Sequence, residues 1–547
     1  MNGNSMKKIA YANAVADDKV RRFVPPVRVV RESAGVSDSA ALLDGVHTQS
    51  FVHFNPRECV LPPGGEIILD FGLELHGLLT VTTGCMKLSR ARITFGESVS
   101  ETLGTPTQDH AIHQELLSLP QLGQVNFGQT AFRFVRLEIP ADAPEVRLIG
   151  VVATAIYRDW EYRGTFLSDD ERLNRIWEVG AYTVHLNCQD YIYDGVKRDR
   201  LVWMGDLYPE IRTILAAFDE TALVEKSLDF VRDHTPDDKW MNTASSYSCW
   251  WVICQRDFYL YRGNYAYLRE QKSALSKLLN RLLACVAPDG SEALTEWRFL
   301  WSTADDDTLK HAGLQGLLAW TFDCGADLAS ELNDPRLALR CRVAASKLRT
   351  VAPDCRGNKI AAAMQILGGV GDARKLNDEI MRNRPDHGIS TFYGYFVLLA
   401  RAEAGDVAGA LDVIRSYWGG MLDFGATTFW EDFDLEWTRN AYGIDQLPVP
   451  GKDDIHGDFG KHCYTGLRHS LCHGWAGGPA AFLTEKVLGI RPAAPGFVQA
   501  KIEPCLGGLT RVEGSQPTPF GEIELSVRKI GNKERRLLKL PKEVREV

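Results

Sequence analysis

The feature that most constrains the fold is a long middle region made almost entirely of helix-forming segments. From about residue 160 to about residue 489, apolar residues recur at helical spacing in segments roughly 15 residues long. The clearest are 222–233, 272–286, 313–332, 335–351, 392–405 and 407–418. A region of about 320 residues holds roughly a dozen such helices, packed as hairpins. The pattern predicts an (α/α)6 toroid, a ring of six helical hairpins.

Strand-like runs lie on both sides of this region. Those at 66–72, 91–98, 132–139 and 146–157 predict a sandwich or jelly roll, and others return at 498–505, 510–514 and 521–530. The last runs occupy about fifty residues, too few to fold alone, so they are expected to pack on the toroid or the N-terminal sheet. SDDE at 168–171 resembles a capping box with Ser168 as N-cap. We predict a multidomain, mainly α chain: β-sandwich 1–158, toroid 159–490, and C-terminal β-rich segment 491–547.

Charge and composition exclude several partners. The formal net charge is −9 and basic residues are dispersed, which disfavours nucleic acid and anionic membranes. No run approaches the roughly 18 apolar residues of a membrane span. The first twenty residues lack the apolar core of a signal peptide. These features predict a cytoplasmic protein, or an exported one whose signal was removed, and leave a homo-oligomer open.

Metal and cofactor signals are weak. The twelve cysteines are scattered without a CxxC pair, which favours free thiols. Asp453, Asp454, His456, Asp458 and His462 cluster at a spacing typical of no known metal site, so a loop at an active-site rim is the preferred interpretation. No nucleotide-binding pattern is present, and we predict no metal and no cofactor.

All thirteen tryptophans lie between Trp160 and Trp475. Helical cores bury tryptophan, which accounts for several of them. An indole face also packs well against the C–H face of a sugar. The pattern supports core and sugar site equally for Trp203, Trp250, Trp251, Trp301 and Trp430.

The most informative stretch is YDGVKRDRLVWMGDLYPE at 193–210. It places Asp194, Asp199 and Asp206 near Arg198 and Arg200, at spacings that do not share one helical face. We therefore predict a loop that leads into a helix. A solvated, salt-bridged loop is the ordinary interpretation of such a triplet.

A second acidic segment, FGATTFWEDFDLEW at 424–437, lies much further along the chain. Its Glu431 directly follows an aromatic residue, where burial can change the pKa of a carboxyl group. Glycoside hydrolysis needs two carboxyl groups on opposite sides of the scissile bond. A toroid that joins the two segments would meet that need.

These stretches resemble glycoside hydrolase family 78, the bacterial α-L-rhamnosidases. DGVKRDRLVWMGD is similar to the family's D-x-x-x-R-(E/D)-R-x-x-W-x-G-D signature, and GATTFWEDFD to its Thr-Thr-x-Trp-Glu segment. Weaker similarity at 70–81, 92–98, 160–184, 470–490 and 495–509 extends the resemblance over roughly residues 60–530.

The resemblance implies inverting hydrolysis of a terminal α-L-rhamnosyl residue from small glycosides or oligosaccharides. Asp199 takes the position of the general acid, and Glu431 that of the base that activates water. The implied or candidate substrate-binding residues are Asp194, Arg198, Trp203, Asp206, Trp250, Trp301, Trp430 and His473.

One departure from the family pattern concerns the acid, which is usually Glu. Asp199 is one methylene shorter, which retracts the proton donor by about 1.5 Å. Two alternatives stay open. One is another exo-glycosidase or a polysaccharide lyase on the same scaffold, since a fold does not determine chemistry; the other is a non-catalytic sugar-binding protein.

Overall fold

The computed structural model describes residues 18–45, 49–50, 57–107, 109, 111–299, 306–461, 464–531 and 533–547. Trp301 and His462, both named above, lie outside this part. Over the described ranges, mainly antiparallel sheets precede and follow a region of helices, which confirms the coarse prediction of fold class. No described helix has the length and apolar character needed to cross a membrane.

The N-terminal part is an antiparallel sheet assembly, with eight strands among the described residues. Its longest strand, β4, pairs with three others, and its register shifts between Asp70 and Leu75. The apolar side chains of these strands form a core of their own. The strands are β1 (Lys19–Val24), β2 (Arg28–Glu32), β3 (Cys59–Leu61), β4 (Glu66–Thr83), β5 (Ser89–Gly96), β6 (Gln114–Leu119), β7 (Gln124–Glu138) and β8 (Val146–Arg158), with the short helix α1 (Val99–Leu103) after β5.

The helical region begins with a cap that differs from the predicted one. Strand β9 (Thr165–Ser168) extends through Ser168, so the prediction of Ser168 as N-cap is wrong. Asp170 caps α2 (Glu171–Asn187) instead, because its side chain accepts from the N–H groups of Arg172 and Leu173 at 3.0 and 3.2 Å.

The other helices follow the predicted spans with local differences. The helix predicted at 222–233 has those bounds, whereas the segment predicted at 407–418 contains a π-helical turn at Ile414–Trp418. Whether the helices close into an (α/α)6 toroid, and the three domain boundaries, stay predictions. The helices are α3 (Leu207–Ala217), α4 (Ala222–Asp233), α5 (Ser245–Arg262), α6 (Tyr265–Leu283), α7 (Asp307–Glu331), α8 (Pro335–Leu348), α9 (Lys359–Leu367), α10 (Ala373–Leu376), α11 (Thr391–Glu403), α12 (Val407–Val413), α13 (Gly419–Asp423) and α14 (Gly478–Phe482).

The C-terminal strands pack against the helical region, one of the two predicted arrangements. Strand β14 pairs with β9, and Gln516 on β14 donates to the carbonyl of Leu215 on α3 at 2.7 Å. The short strands β10 (Ala441–Tyr442) and β11 (Asp453–Asp454) pair in parallel. The C-terminal strands are β12 (Ile490–Pro492), β13 (Gln499–Ile502), β14 (Arg511–Thr518), β15 (Gly521–Ile530), β16 (Lys533–Lys539) and β17 (Arg545–Glu546).

Candidate active site

Residues from both acidic segments line one cavity. Five are carboxyl groups, three are arginines and six are aromatic. They are Asp194, Asp199, Asp206, Glu431 and Asp432; Arg198, Arg298 and Arg468; Trp203, Tyr247, Phe392, Tyr393, Tyr464 and Trp475; and, in addition, Ser390 and His473. Two segments that are far apart in the sequence therefore face each other across one hollow.

Asp194 holds the first acidic segment in a closed loop. Its Oδ1 accepts from the N–H of Leu201 at 3.0 Å, and its own N–H donates to the carbonyl of Leu201 at 3.1 Å. Its carbonyl accepts from the N–H of Gly474 at 2.8 Å, which joins the loop to the segment that carries His473. Asp206 directly precedes α3, so the predicted loop leading into a helix is confirmed.

Two consecutive residues of this loop have a left-handed backbone, with φ of 56° at Asp199 and 53° at Arg200. Residues other than Gly, Asn and Asp rarely adopt this conformation, so the cost, on the order of 1–3 kcal/mol, falls mainly on Arg200. The bend separates the two side chains. Asp199 lines the cavity, whereas Arg200 does not. Burial lowers the pKa of Arg200, against the effect of the nearby Tyr193.

Arg198 connects the two candidate catalytic groups. Its Nη2 donates to both carboxylate oxygens of Glu431, at 2.6 Å to Oε1, and its Nη1 donates to Asp199 Oδ1 at 3.2 Å. Since the guanidinium is small and planar, these contacts limit the separation of the bonded carboxyl oxygens to roughly 8 Å. Glu431 also accepts from the N–H of Ser470 at 3.1 Å. Although its side chain is only 2% exposed, it lines the cavity, so the ion pair is not sealed off.

Burial raises the pKa of most acids that line the cavity. Desolvation raises the pKa of Asp194 and Asp206 well above the usual range, and their carboxylate neighbours add to the effect. Burial also raises the pKa of Glu431, although Arg198 opposes this shift, and it raises the pKa of Asp432 to about 7. Burial thus favours the protonated form of these acids, as in sites that move protons.

His473 lies among three of the acids. Its Nε2 is 3.5 Å from Glu431 Oε1, 3.9 Å from Asp194 Oδ2 and 4.0 Å from Asp206 Oδ1. Burial, with Arg198 acting in the same direction, lowers the pKa of His473 well below its ordinary value. The imidazole is therefore neutral and has one N–H to donate to a carboxyl oxygen or a bound hydroxyl.

Trp203 contributes an aromatic wall. The guanidinium of Arg298 lies over its ring, 4.8 Å from the centroid, and the ring of Tyr247 meets it edge-on at 6.2 Å. These contacts hold the indole in a defined orientation at the cavity.

The predictions for Trp250 and Trp430 are wrong. Trp250 is 1% exposed and stacks on Phe396 at 4.8 Å inside the helical core. Trp430 is fully buried against Phe433, at 5.5 Å between ring centroids. Neither side chain lines the cavity. Trp251, the other candidate from α5, is also buried in the core.

The interpretation of 451–463 as a rim loop is not supported. None of its described residues, 451–461, lines the cavity. His456 is fully buried, with Nδ1 2.7 Å from Ser98 Oγ and Nε2 2.9 Å from the carbonyl of His469.

Sequence reasoning missed about half of the lining residues. Asp432 directly follows the predicted base, and Trp475 lies two positions after His473, so their places in the motifs could have indicated them. Tyr247 and Arg298 lie in no motif, and only the packing of the helical region brings them to the cavity.

Comparison with known proteins defines the class of this fold. Residues 161–305 match the model of the bacterial α-L-rhamnosidase six-hairpin glycosidase domain. The predicted resemblance to family 78 is thereby confirmed. An α-L-rhamnosidase of Alteromonas sp. (strain LOR) is 22% identical over 511 residues, which are 84% of this chain and 53% of the relative. The chain therefore spans about half the length of that relative.

Solved structures share the fold. A family 78 rhamnosidase of Bacillus sp. GL1 aligns with a TM-score of 0.72 at 20% identity, over 92% of this chain and 56% of that one. A rhamnosidase from Klebsiella oxytoca, solved with rhamnose bound, aligns with a TM-score of 0.69 at 23% identity, over 85% of this chain and 96% of that one. At these identities the likeness is one of fold.

Proposed function

We propose that the protein is an inverting glycoside hydrolase that releases terminal α-L-rhamnose from small glycosides or oligosaccharides, on an (α/α)6 toroid. One observation carries the proposal: Asp199 and Glu431 line the same cavity and contact the same guanidinium, that of Arg198. This arrangement supplies the two facing carboxyl groups that glycoside hydrolysis needs.

The exposure of the two groups supports the proposed division of roles. The side chain of Asp199 is 22% exposed, whereas that of Glu431 is 2% exposed. A terminal sugar enters with its leaving group toward solvent, so Asp199 is placed to protonate the leaving oxygen. Glu431, deeper in the cavity, is placed to deprotonate water on the other face of the sugar.

Glu431 must be ionised to act as a base. Burial raises its pKa, whereas Arg198 and the N–H of Ser470 stabilise the carboxylate. Inverting enzymes separate the two carboxyl groups by about 6.5–9.5 Å, which leaves room for the attacking water. The upper limit of roughly 8 Å set by the shared guanidinium admits this range and also the roughly 5–5.5 Å of retaining enzymes, so the anomer formed first decides between the two mechanisms.

The remaining lining residues suit a single sugar ring. Asp194, Asp206 and His473 offer acceptors and one donor to hydroxyl groups, and Trp203 offers a flat apolar face to the ring C–H groups. The choice of rhamnose rests on the resemblance to α-L-rhamnosidases.

The direct test is turnover of p-nitrophenyl α-L-rhamnoside beside a panel of other p-nitrophenyl sugars. We expect the rhamnoside to be hydrolysed fastest, with β-L-rhamnose as the first anomer in the NMR spectrum. The α anomer first would contradict inversion, an unsaturated product would indicate a lyase, and sugar binding without turnover would indicate a binding protein.

The role of Asp199 is tested by its dependence on the leaving group. Asp199→Asn removes the acid, so rhamnosides with a sugar leaving group should lose far more rate than the p-nitrophenyl substrate, whose leaving group needs little protonation. Equal losses on both substrates would contradict the assignment of Asp199 as general acid.

A further inference from the structure

A buried charged cluster lies between the N-terminal sheet and the loop that carries Asp199. Its members are Glu97 and Glu101, which lie on either side of the start of α1, and Lys197, two positions before Asp199. Lys197 Nζ is 3.1 Å from Glu97 Oε2 and 2.8 Å from Glu101 Oε1. Glu97 and Lys197 are each 1% exposed, so this is a contact between two regions, sealed from solvent.

Lys197 also joins a third segment. Its Nζ donates to the carbonyl groups of Leu467 and His469 at 2.9 and 3.0 Å. Burial alone would favour the neutral amine, yet the carboxylates of Glu101 and Glu97 raise the pKa of Lys197 above its ordinary value. Lys197 is therefore a charged, fully partnered ammonium that ties the loop to the sheet and to the 466–473 segment.

The same carboxylates are close enough to His456 to suggest a metal site, since ligand atoms of Glu97, Glu101 and His456 lie within 4.8 Å of one another. Lys197 already supplies the positive charge that the two carboxylates need. His456 engages both ring nitrogens, one with Ser98 and one with a backbone carbonyl. These contacts are those of a structural ion-pair cluster that holds the segments together, and we do not assign a metal site to them.

Glu97 also holds the backbone beside the proposed base. Its Oε2 accepts from the N–H of Leu471 at 2.7 Å, and its Oε1 accepts from Ser470 Oγ at 3.2 Å. Ser470 in turn bonds Glu431 twice: its N–H donates to Glu431 Oε2 at 3.1 Å, and its carbonyl accepts from the N–H of Glu431 at 2.9 Å. One residue therefore separates Glu97 from the base along this path.

We propose that Glu97 is a positioning residue for the reaction, through which the N-terminal sheet holds Lys197 on one side and Ser470 on the other, and so sets the place of Glu431. The inference rests on the proposed function, because it takes Glu431 as the base. A buried carboxylate with three donors permits little movement of the groups bonded to it. A base displaced by about 1 Å loses roughly 100-fold in rate.

The first test does not need a substrate. Glu97→Gln should speed amide hydrogen exchange at least about tenfold in peptides that cover 194–201 and 469–473. The control is Glu66→Gln, which also weakens an ion pair of the sheet, a partly buried one with Arg136 Nε at 2.8 Å, and contacts neither segment. Unchanged exchange in E97Q, or the same increase in E66Q, would overturn the inference.

The second test is kinetic, with the rate of each variant expressed per folded molecule. E97Q should lower kcat about 10- to 100-fold with KM within about twofold, and E66Q should leave both unchanged. The loss should vanish in a Glu431→Gln background, because Glu97 acts through the base; an equal further loss there would refute positioning.

Ser470→Ala removes the hydroxyl contact with Glu97 and the local contacts with the N–H and carbonyl of Cys472, but keeps both backbone bonds to Glu431. It should show a smaller loss of the same kind and serves if E97Q does not fold. If E97Q loses kcat but S470A keeps both its kcat and its amide hydrogen exchange unchanged, the path through Ser470 is contradicted. A wild-type protein without any hydrolase activity would refute the proposed function instead, while the exchange experiment still decides whether Glu97 holds the two segments.

Discussion

Helix α3 borders two buried charge clusters that are built in opposite ways. At its start, Asp206 and Glu210 lie near Asp194 with few cations to offset them, and neither carboxyl oxygen of Glu210 has a hydrogen-bond partner among the described residues. Two residues later, Arg212 donates to Glu485 and to Asp257, each at 2.8 Å. One helix thus carries an acid-rich cluster at the cavity and a charge-balanced cluster beyond it.

The two clusters shift pKa values in opposite directions. In the balanced one, Arg212 and Arg256 overcome desolvation and lower the pKa of Asp257. In the acid-rich one, burial raises the pKa of Asp194, Asp206 and Glu210 well above their usual range. Balanced pairing stabilises a fold, whereas crowded acids are unfavourable unless some bind protons, and proton binding near neutral pH is what acid–base chemistry uses.

The largest effect is expected in catalysis, at Glu431, a cavity acid beside the acid-rich cluster of Asp194, Asp206 and Glu210. Glu431→Gln keeps the size of the side chain and removes the base, so the rate on p-nitrophenyl α-L-rhamnoside should fall about 10³- to 10⁴-fold, roughly 4–5 kcal/mol in the activation barrier. Rhamnose affinity, measured by calorimetry, should be retained. A rate within tenfold of the wild type would contradict the role of Glu431.

A substitution in the charge-balanced cluster should lower the stability of the fold and leave the catalytic rate unchanged. Asp257→Asn removes the carboxylate shared by the buried Arg212, which keeps Glu485, and the half-buried Arg256, so the free energy of unfolding should fall by about 3 kcal/mol. Denaturant unfolding measures the loss, and the rate per folded molecule should match the wild type. A stable variant with a lowered rate would show that the two clusters do not divide their roles in this way.

A steric test addresses how tightly Glu210 of the acid-rich cluster is packed. A Cβ on Gly474 would lie 1.6 Å from Glu210 Oε1, so Gly474→Ala should destabilise the fold by about 3 kcal/mol. Adding Glu210→Ala should recover part of the loss, because it removes the clashing group. Gly195→Ala, whose Cβ would meet nothing nearer than 3.5 Å, is the control. Equal losses at both glycines would contradict the crowding of Glu210.

The smallest effect concerns pH. Asp432 has a pKa of about 7 in the folded protein, above its value in the unfolded chain, so the native state holds an extra proton between those values. The stability that this proton contributes is fully present below the pKa of the unfolded chain, falls as pH rises above that value, and is lost once pH passes the folded pKa of about 7. Relative to Asp432→Asn, the wild type should lose about 2 kcal/mol between pH 5 and pH 7. Parallel curves of melting temperature against pH would contradict this.

Local patterns predicted the helices better than the site. The span of α4 follows from apolar spacing within one helix, and the loop before α3 follows from acids that share no helical face. The cap of α2 was misassigned, because the strand that ends at Ser168 is set by pairing with β14, a strand more than three hundred residues away. Sequence periodicity reports neighbours within a turn or two, and such pairing lies outside its reach.

The tryptophans show the same limit. Trp203 and Trp250 are both large aromatic residues in the helical region, yet one lines the cavity and the other lies in the core. An indole packs equally well against a sugar ring and in an apolar core, so residue type alone could not distinguish the cavity tryptophan from the core one. Their places depend on which face of each segment turns inward once the helices have packed.

The order of residues was enough to predict a helical middle with strands on either side, and the resemblance of two separate segments to family 78 implied the roles of Asp199 and Glu431. Packing alone established that Arg198 joins those two groups, that Asp199 sits on a left-handed bend, and that Glu97, directly after strand β5, reaches the segment beside the proposed base. The reason is physical: helices and motifs arise from interactions between near neighbours, whereas the shared guanidinium and the buried carboxylate depend on regions that meet only in the folded chain.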